Sequence, residues 1–347
     1  MAGRPPLARL ARLAGRSPAC AALVRGLERV SRFRPGLLPV LAYHRVDDPT
    51  RPSGLYPGLV SATPEAFAEQ MAFLSVSYHL VSMVELLDAR AGRASIPERS
   101  VMVTFDDAYR DFAEHAWPAM RRLGVPVTLF VPTGYPDRPD RCFWWDRLFH
   151  ALHSTARDAC DTPGGRLPLT TAAERMRAFR AMREQLKRLP HSEAMDAVEA
   201  FACRLEAPAP APAVLGWDEL RRLAREGVTL APHSRTHPLL NRVSLEEARD
   251  EVVGSLADLQ REIGPTPPAF AYPSGAHDDR VVTVLAEAGF AAGFTVMRWG
   301  SNDLSRVSWL RLRRILVTRG LTAPLLRAQL LPLSTRLATA NPASRLR

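Results

Sequence analysis

The chain has 347 residues, of which 46% are apolar and 24% charged, a balance that supplies a globular core and excludes intrinsic disorder and fibrous repeats. No run of about 18 apolar residues occurs, which excludes an ordinary membrane-spanning helix, and Cys20, Cys142, Cys160 and Cys203 lie too far apart for a zinc ribbon or a dense disulfide framework. The net charge of +10 is almost wholly arginine, Lys187 being the only lysine; with no RNA- or DNA-binding motif beside it, that charge does not predict a nucleic-acid partner.

Residues 1–37 read as a basic arm. Eight arginines fall in the first 34 residues against one acid, Glu28, and Leu7, Leu10 and Leu13, then Leu23, Leu27 and Val30, recur at helical spacing. One or two short amphipathic helices on an anionic membrane surface fit this pattern. So does a solvated arm, because Pro5, Pro6 and Pro18 interrupt any long helix. Arg9, Arg12, Arg16 and Arg25 break every apolar run that a secretory signal would need, so a cytoplasmic place, either free or peripheral to the inner face of the membrane, is the expectation.

From residue 38 to about 320, short apolar runs alternate with helical patterns, the rhythm of parallel strands joined by crossover helices. Strands are expected at Pro39–Tyr43, Val101–Phe105, Val127–Val131, Val228–Pro232, Ala269–Tyr272, Ala292–Val296 and Arg314–Val317. Helices are expected to start at Thr63 before Pro64, at Ser82 with Glu85 three residues on, and at Ser244 with Glu247, the last two at capping-box spacing. These units predict a complete or distorted (β/α) barrel. Residues 134–212 break the rhythm with helical segments Trp144–Thr155, Ala172–Leu189 and Ser192–Leu205 and end in a Pro-Ala linker; they read as a helical insertion on the barrel. Residues 321–347 form a C-terminal helix or tail.

Three motifs carry chemistry. Thr104-Phe105-Asp106-Asp107 directly follows an apolar run. Adjacent carboxylates at a strand's carboxyl end suit a site in which a metal or donors neutralise one of them, and equally suit an N-cap for a helix starting near Ala108. His233-Ser234-Arg235-Thr236-His237 follows another strand. Two histidines four apart converge on one cation if the residues between them form a helical turn; otherwise they are a surface pair. Phe270-Ala271-Tyr272-Pro273-Ser274-Gly275 reads as a strand ending in a turn.

In this order, preceded by Leu41-Ala42-Tyr43-His44-Arg45-Val46, these motifs resemble those of the polysaccharide deacetylase family, also called the NodB homology domain or carbohydrate esterase family four. The resemblance spans about residues 39–317. It implies a distorted (β/α) barrel of the NodB type and metal-dependent removal of acetyl groups from N-acetylated glycans. Carried over by position, Asp106 is the general base, Asp107, His233 and His237 hold a divalent ion, zinc or else cobalt or nickel, and Ser274 offers its backbone N–H to the oxyanion. Tyr272 and Pro273 of the third motif would then face the substrate. The insertion makes the chain similar to members associated with bacterial exopolysaccharide assembly.

Ser274 stands where an aromatic usually follows the motif proline, and the sequence departs from the family pattern at two further points. Ala271 stands where many members carry an arginine that orients the base, and no histidine follows His277 to serve as the usual general acid. His44, just past the first strand, is the candidate for that role or for contact with the sugar. Trp144 and Trp145, with Asp146, suit a sugar-stacking wall, and equally suit core. Two other readings use parts of the same sequence. A non-haem iron oxygenase employs the same two-histidine, one-carboxylate set, but the barrel rhythm and the second aspartate disfavour it. A non-catalytic carbohydrate-binding relative is favoured by the two departures and disfavoured by the presence of every ligand and the base.

Overall fold

The computed structural model describes residues 17–50, 53–162, 164–297 and 300–332. Its centre is a set of seven parallel strands: β1 Val40–Tyr43, β2 Ser100–Phe105, β3 Thr128–Val131, β4 Thr229–Pro232, β5 Ala269–Ala271, β6 Ala292–Met297 and β7 Leu312–Leu316. They pair in the order β4-β3-β2-β1-β7-β6-β5 and curl into a nearly closed barrel. Among the described residues the two edges, β4 and β5, share no backbone ladder. Each expected strand is present within a few residues; β7 starts two residues earlier than the sequence suggested.

The strands are legible because they are buried on both faces, as parallel strands flanked by helices must be. All six residues of β2 are buried. Alternate side chains separate into two layers. Leu41, Val103 and Phe105 pack outward with Phe67, Met71 and Leu74 of the helix Pro64–Ser77, while Val40, Met102, Phe130, Ala231, Ala271 and Phe294 cluster inside. That helix is capped by Thr63, and Ser82 with Glu85 and Ser244 with Glu247 form complete capping boxes on Met83–Arg90 and Leu245–Ile263. These caps supply donors and acceptors that the first helical turn lacks.

Between β3 and β4 lie the helices Trp144–Ser154, Ala172–Leu186 and His191–Arg204. An antiparallel pair, Ala159–Thr162 with Gly165–Pro168, was not anticipated; only Cys160 of its residues is buried, so no alternation marks it in the sequence. Arg147 pins the Pro-Ala linker by donating to the carbonyls of Ala207 and Pro208. Arg242, after β4, donates to the Lys187 carbonyl at the end of Ala172–Leu186 and ties the insertion to the barrel mouth.

Of the basic arm, Pro18–Val30 is a helix that buries Val24 and Glu28 and leaves Leu23 and Val30 exposed. Glu28 pairs with Arg327 of the C-terminal helix Ala323–Leu330 at 2.9 Å. Leu7, Leu10 and Leu13 lie outside the described residues. No described helix is long and apolar enough to cross a membrane. The cysteines are unpaired, and only Cys160 of the four is buried.

Candidate active site

The carboxyl ends of the strands converge on one face of the barrel, and the three motifs meet there. After β2 the chain does not open a helix. Asp107 and Ala108 take left-handed φ values of 71° and 52°, so the aspartates cap nothing; the turn instead drives both carboxylates into the barrel mouth, where each is about 98% shielded from solvent. Non-glycine residues adopt this conformation at a cost of order 1 kcal/mol and hold it only where the surroundings dictate it.

The two carboxylates have different partners. Asp106 accepts two hydrogen bonds from Arg314 of β7, Nη1 to Oδ1 at 2.6 Å and Nη2 to Oδ2 at 2.8 Å. Arg314 is itself fully buried, also donates to Thr104 Oγ1, and lies over the Phe130 ring. Burial alone would push the Asp106 carboxyl up, but Arg314, then His233 and His44, outweigh it and hold it well below the usual carboxylate range. Asp107 has no such relief. Its Oδ1 is buried without a hydrogen-bond partner, and burial, then the charges of Asp106 and Asp146, push its carboxyl well up.

The histidines reach the same point without a helical turn, which corrects the geometry expected of them. Ser234 and His237 both take φ of 62°. The loop between them is held from outside by Glu251, which accepts from the Arg235 and Thr236 backbone N–H groups at 2.7 and 2.9 Å and from the Thr236 hydroxyl. Ser234 Oγ accepts from the His237 N–H. His233 Nδ1 donates to the Ala271 carbonyl on β5 at 2.7 Å, which leaves Nε2 as the ring's lone-pair nitrogen. That Nε2 lies 3.7 Å from Asp107 Oδ1, and His237 Nε2 lies 3.4 Å from the same atom.

One donor atom from each of Asp107, His233 and His237 falls within 4.8 Å of the others. An unpartnered buried carboxylate oxygen facing two imidazole nitrogens is a donor set that a divalent ion fits, and the ion would neutralise the charge that burial disfavours.

Asp107 and His237 line the floor of a 180 Å³ cleft together with His44, Ser274, Trp144 and Trp145. His44 is half-buried and its backbone N–H donates to Ser61 Oγ; burial pushes its imidazole below the usual value, against the pull of Asp106. Ser274 sits at φ 54°. Trp145 stacks on Phe143 at 4.6 Å and meets the His237 ring edge-on at 5.1 Å. Its Nε1 donates to the Tyr109 hydroxyl, which donates to Asp146. Asp146 also accepts the Tyr56 N–H, and its burial pushes it up to about 6. Thus Trp145 is a buried brace behind a histidine of the cluster, and Trp144 is the more exposed of the two aromatic walls.

Tyr272 and Pro273, expected to face substrate, do not line this cleft. Strand alternation turns Tyr272 into the layer with Phe270, Val281 and Leu285, its hydroxyl donating to the Leu310 carbonyl. Sequence reasoning also missed Arg314. Its only signal was an Arg-Arg pair between Leu312 and Ile315 inside a strand, where a charge demands a buried partner.

Fold and site together define a barrel enzyme with a candidate divalent-metal centre at the carboxyl ends of its strands. A model of the polysaccharide deacetylase family matches residues 93–293, more than half of the chain. The chain belongs to that family. Over 101 residues, 28% of its length, it is 29% identical to a poly-beta-1,6-N-acetyl-D-glucosamine N-deacetylase of Escherichia coli, and it spans only 14% of that relative. Its fold is similar to the deacetylase PplD of Streptococcus pyogenes, solved with acetate (TM-score 0.57, 19% identity, 86% of this chain and all of that one). It is also similar to a de-N-acetylase of Aggregatibacter actinomycetemcomitans (0.56, 16%, 84% and 99%) and to IcaB of Ammonifex degensii (0.55, 18%, 86% and 98%).

Proposed function

We propose that this protein is a metal-dependent hydrolase that removes N-acetyl groups from an amino-sugar polysaccharide or glycan intermediate. The carrying observation is the pairing of an Asp107–His233–His237 cluster, one oxygen of it unpartnered, with a second carboxylate clamped by a buried arginine. Family membership and the similarity to N-deacetylases support the same reaction.

An acetamide is a poor electrophile. A divalent ion held by Asp107, His233 and His237 would supply polarisation of its carbonyl and acidification of the attacking water. Asp106, beside the cluster but bound to Arg314, takes the water proton while the hydroxyl adds to the acetyl carbon. Arg314 fixes both oxygens of Asp106 and keeps it ionised, the role that Ala271 cannot fill. The Ser274 backbone N–H is the donor we assign to the developing oxyanion. The C–N bond then breaks, and His44 delivers a proton to the leaving amine, giving acetate and a free amino sugar. Burial makes the acid form of His44 a stronger donor.

Acetate release from a panel of N-acetylated oligosaccharides, measured beside elemental analysis of bound metal, tests the reading; a metal-loaded enzyme that releases acetate from none of them refutes it. If His44 is the acid, His44→Ala should lower the rate on N-acetyl sugars about 10²–10⁴-fold and affect an acetyl ester with a good leaving group far less, since that group departs without a proton. Equal losses on both substrates would reassign His44 to positioning.

A further inference from the structure

The walls of the cleft differ in charge from its floor. Among the described residues Asp107 is the only acid that lines it, whereas Arg183, Lys187 and Arg242 line its rim. Arg183 donates to the Tyr56 hydroxyl and pairs with Glu184 on its solvent side. Lys187 and Arg242 have no carboxylate partner among the described residues: Arg242 spends one N–H on the Lys187 carbonyl, and the Lys187 ammonium binds nothing described. The remaining nearby acids are committed elsewhere. Glu247 caps its own helix, and Glu251 holds the loop between the two histidines. The carbonyl end of Ala172–Leu186 favours a cation, but one guanidinium N–H satisfies it, and three cations from two separate elements gather there.

Such a cluster is self-repelling. Burial, then Arg183 and Arg242, lower the Lys187 pKa, with Glu184 opposing. Lys187 is also the only lysine in the chain, a compact point charge with three rotatable donors. Rim and floor line one cleft, so they address the same sugar residue or its neighbour.

Building on the deacetylase reading, we propose that this cleft selects glycans carrying an oxyanion, a uronate carboxylate or a phosphate, on the N-acetylated sugar or the adjoining one, with Lys187 and Arg242 as its donors. Trp144 and Leu239 supply the apolar wall for the ring. The anion completes the pairing that the rim lacks.

The test uses the full-length, metal-loaded protein and three probes: N-acetylchitotetraose, a tetrasaccharide alternating N-acetylglucosamine with glucuronic acid, and UDP-N-acetylglucosamine. Calorimetry should find at least one anionic probe bound 10-fold or more tighter than the neutral one, with a preference that shrinks as salt is raised. Preference for the glucuronate probe names a polymer carboxylate as the source, and preference for the nucleotide sugar names a phosphate. Lys187→Gln/Arg242→Gln should bring the ratio toward one, and Lys187→Arg should retain most of it, which separates charge from lost packing. Equal affinities in the wild-type protein, or a ratio unchanged in the double variant, overturn the proposal. Acetate release is scored separately. Anion preference with no acetate released from the wider panel of N-acetylated oligosaccharides overturns the deacetylase reading and leaves the anion site standing; acetate release with equal affinities for all three probes does the reverse.

Discussion

Asp107→Ala should strip the divalent ion and abolish acetate release, whereas Asp106→Asn should keep the ion and lose about 10²–10⁴-fold in rate, the usual contribution of a positioned general base. The two residues are neighbours in sequence and equally buried, yet the structure gives them different work. Asp107 Oδ1 faces the histidines with no hydrogen bond, and both oxygens of Asp106 are taken up by Arg314. Elemental analysis of the purified variants beside single-turnover acetate release separates the roles. Loss of metal from Asp106→Asn equal to that from Asp107→Ala would mean that the carboxylates share the ion.

Arg314→Met should be the costliest single change for folding outside the hydrophobic layers. Arg314 is fully buried, and its removal leaves the Asp106 carboxylate without its main counter-charge inside the barrel; breaking a buried pair in this way typically costs about 3–5 kcal/mol. Urea denaturation measures it. The double variant Arg314→Met/Asp106→Asn should recover a large part of that stability, because the stranded charge is gone, while remaining inactive. A single-variant loss below about 1 kcal/mol would mean that water reaches Asp106 and that the clamp is not buried as described.

The site was legible in the sequence to the extent that its residues directly follow strands. Asp106 and Asp107 come after five apolar or β-favouring residues and His233 after four, and barrel strands deliver whatever follows them to one face. The clamp was illegible because its partners lie 208 residues apart, and one more arginine in an arginine-rich chain draws no attention. Conformation at the turns was also hidden. Asp and His enter the left-handed region more readily than most side chains, but neither motif carries the glycine that ordinarily marks it, so a cap and a helical turn were the natural readings of each. Tyr272 was misplaced for a simpler reason. It stands one residue beyond the end of β5, where alternation still governs and turns it into the core.

His233 carries a second obligation. Its ring crosses from the end of β4 to the Ala271 carbonyl of β5, the gap that no backbone ladder closes. The nitrogen on one side of the imidazole fastens the barrel, and the nitrogen on the other faces the cation site. Loading and breathing are therefore thermodynamically linked. An ion that prefers the fastened ring must disfavour the open seam at equilibrium by the same free energy with which opening weakens its hold. Amide exchange at Thr229–Pro232 and Ala269–Ala271 would register that linkage strand by strand, so the barrel's weakest edge doubles as a gauge of occupancy.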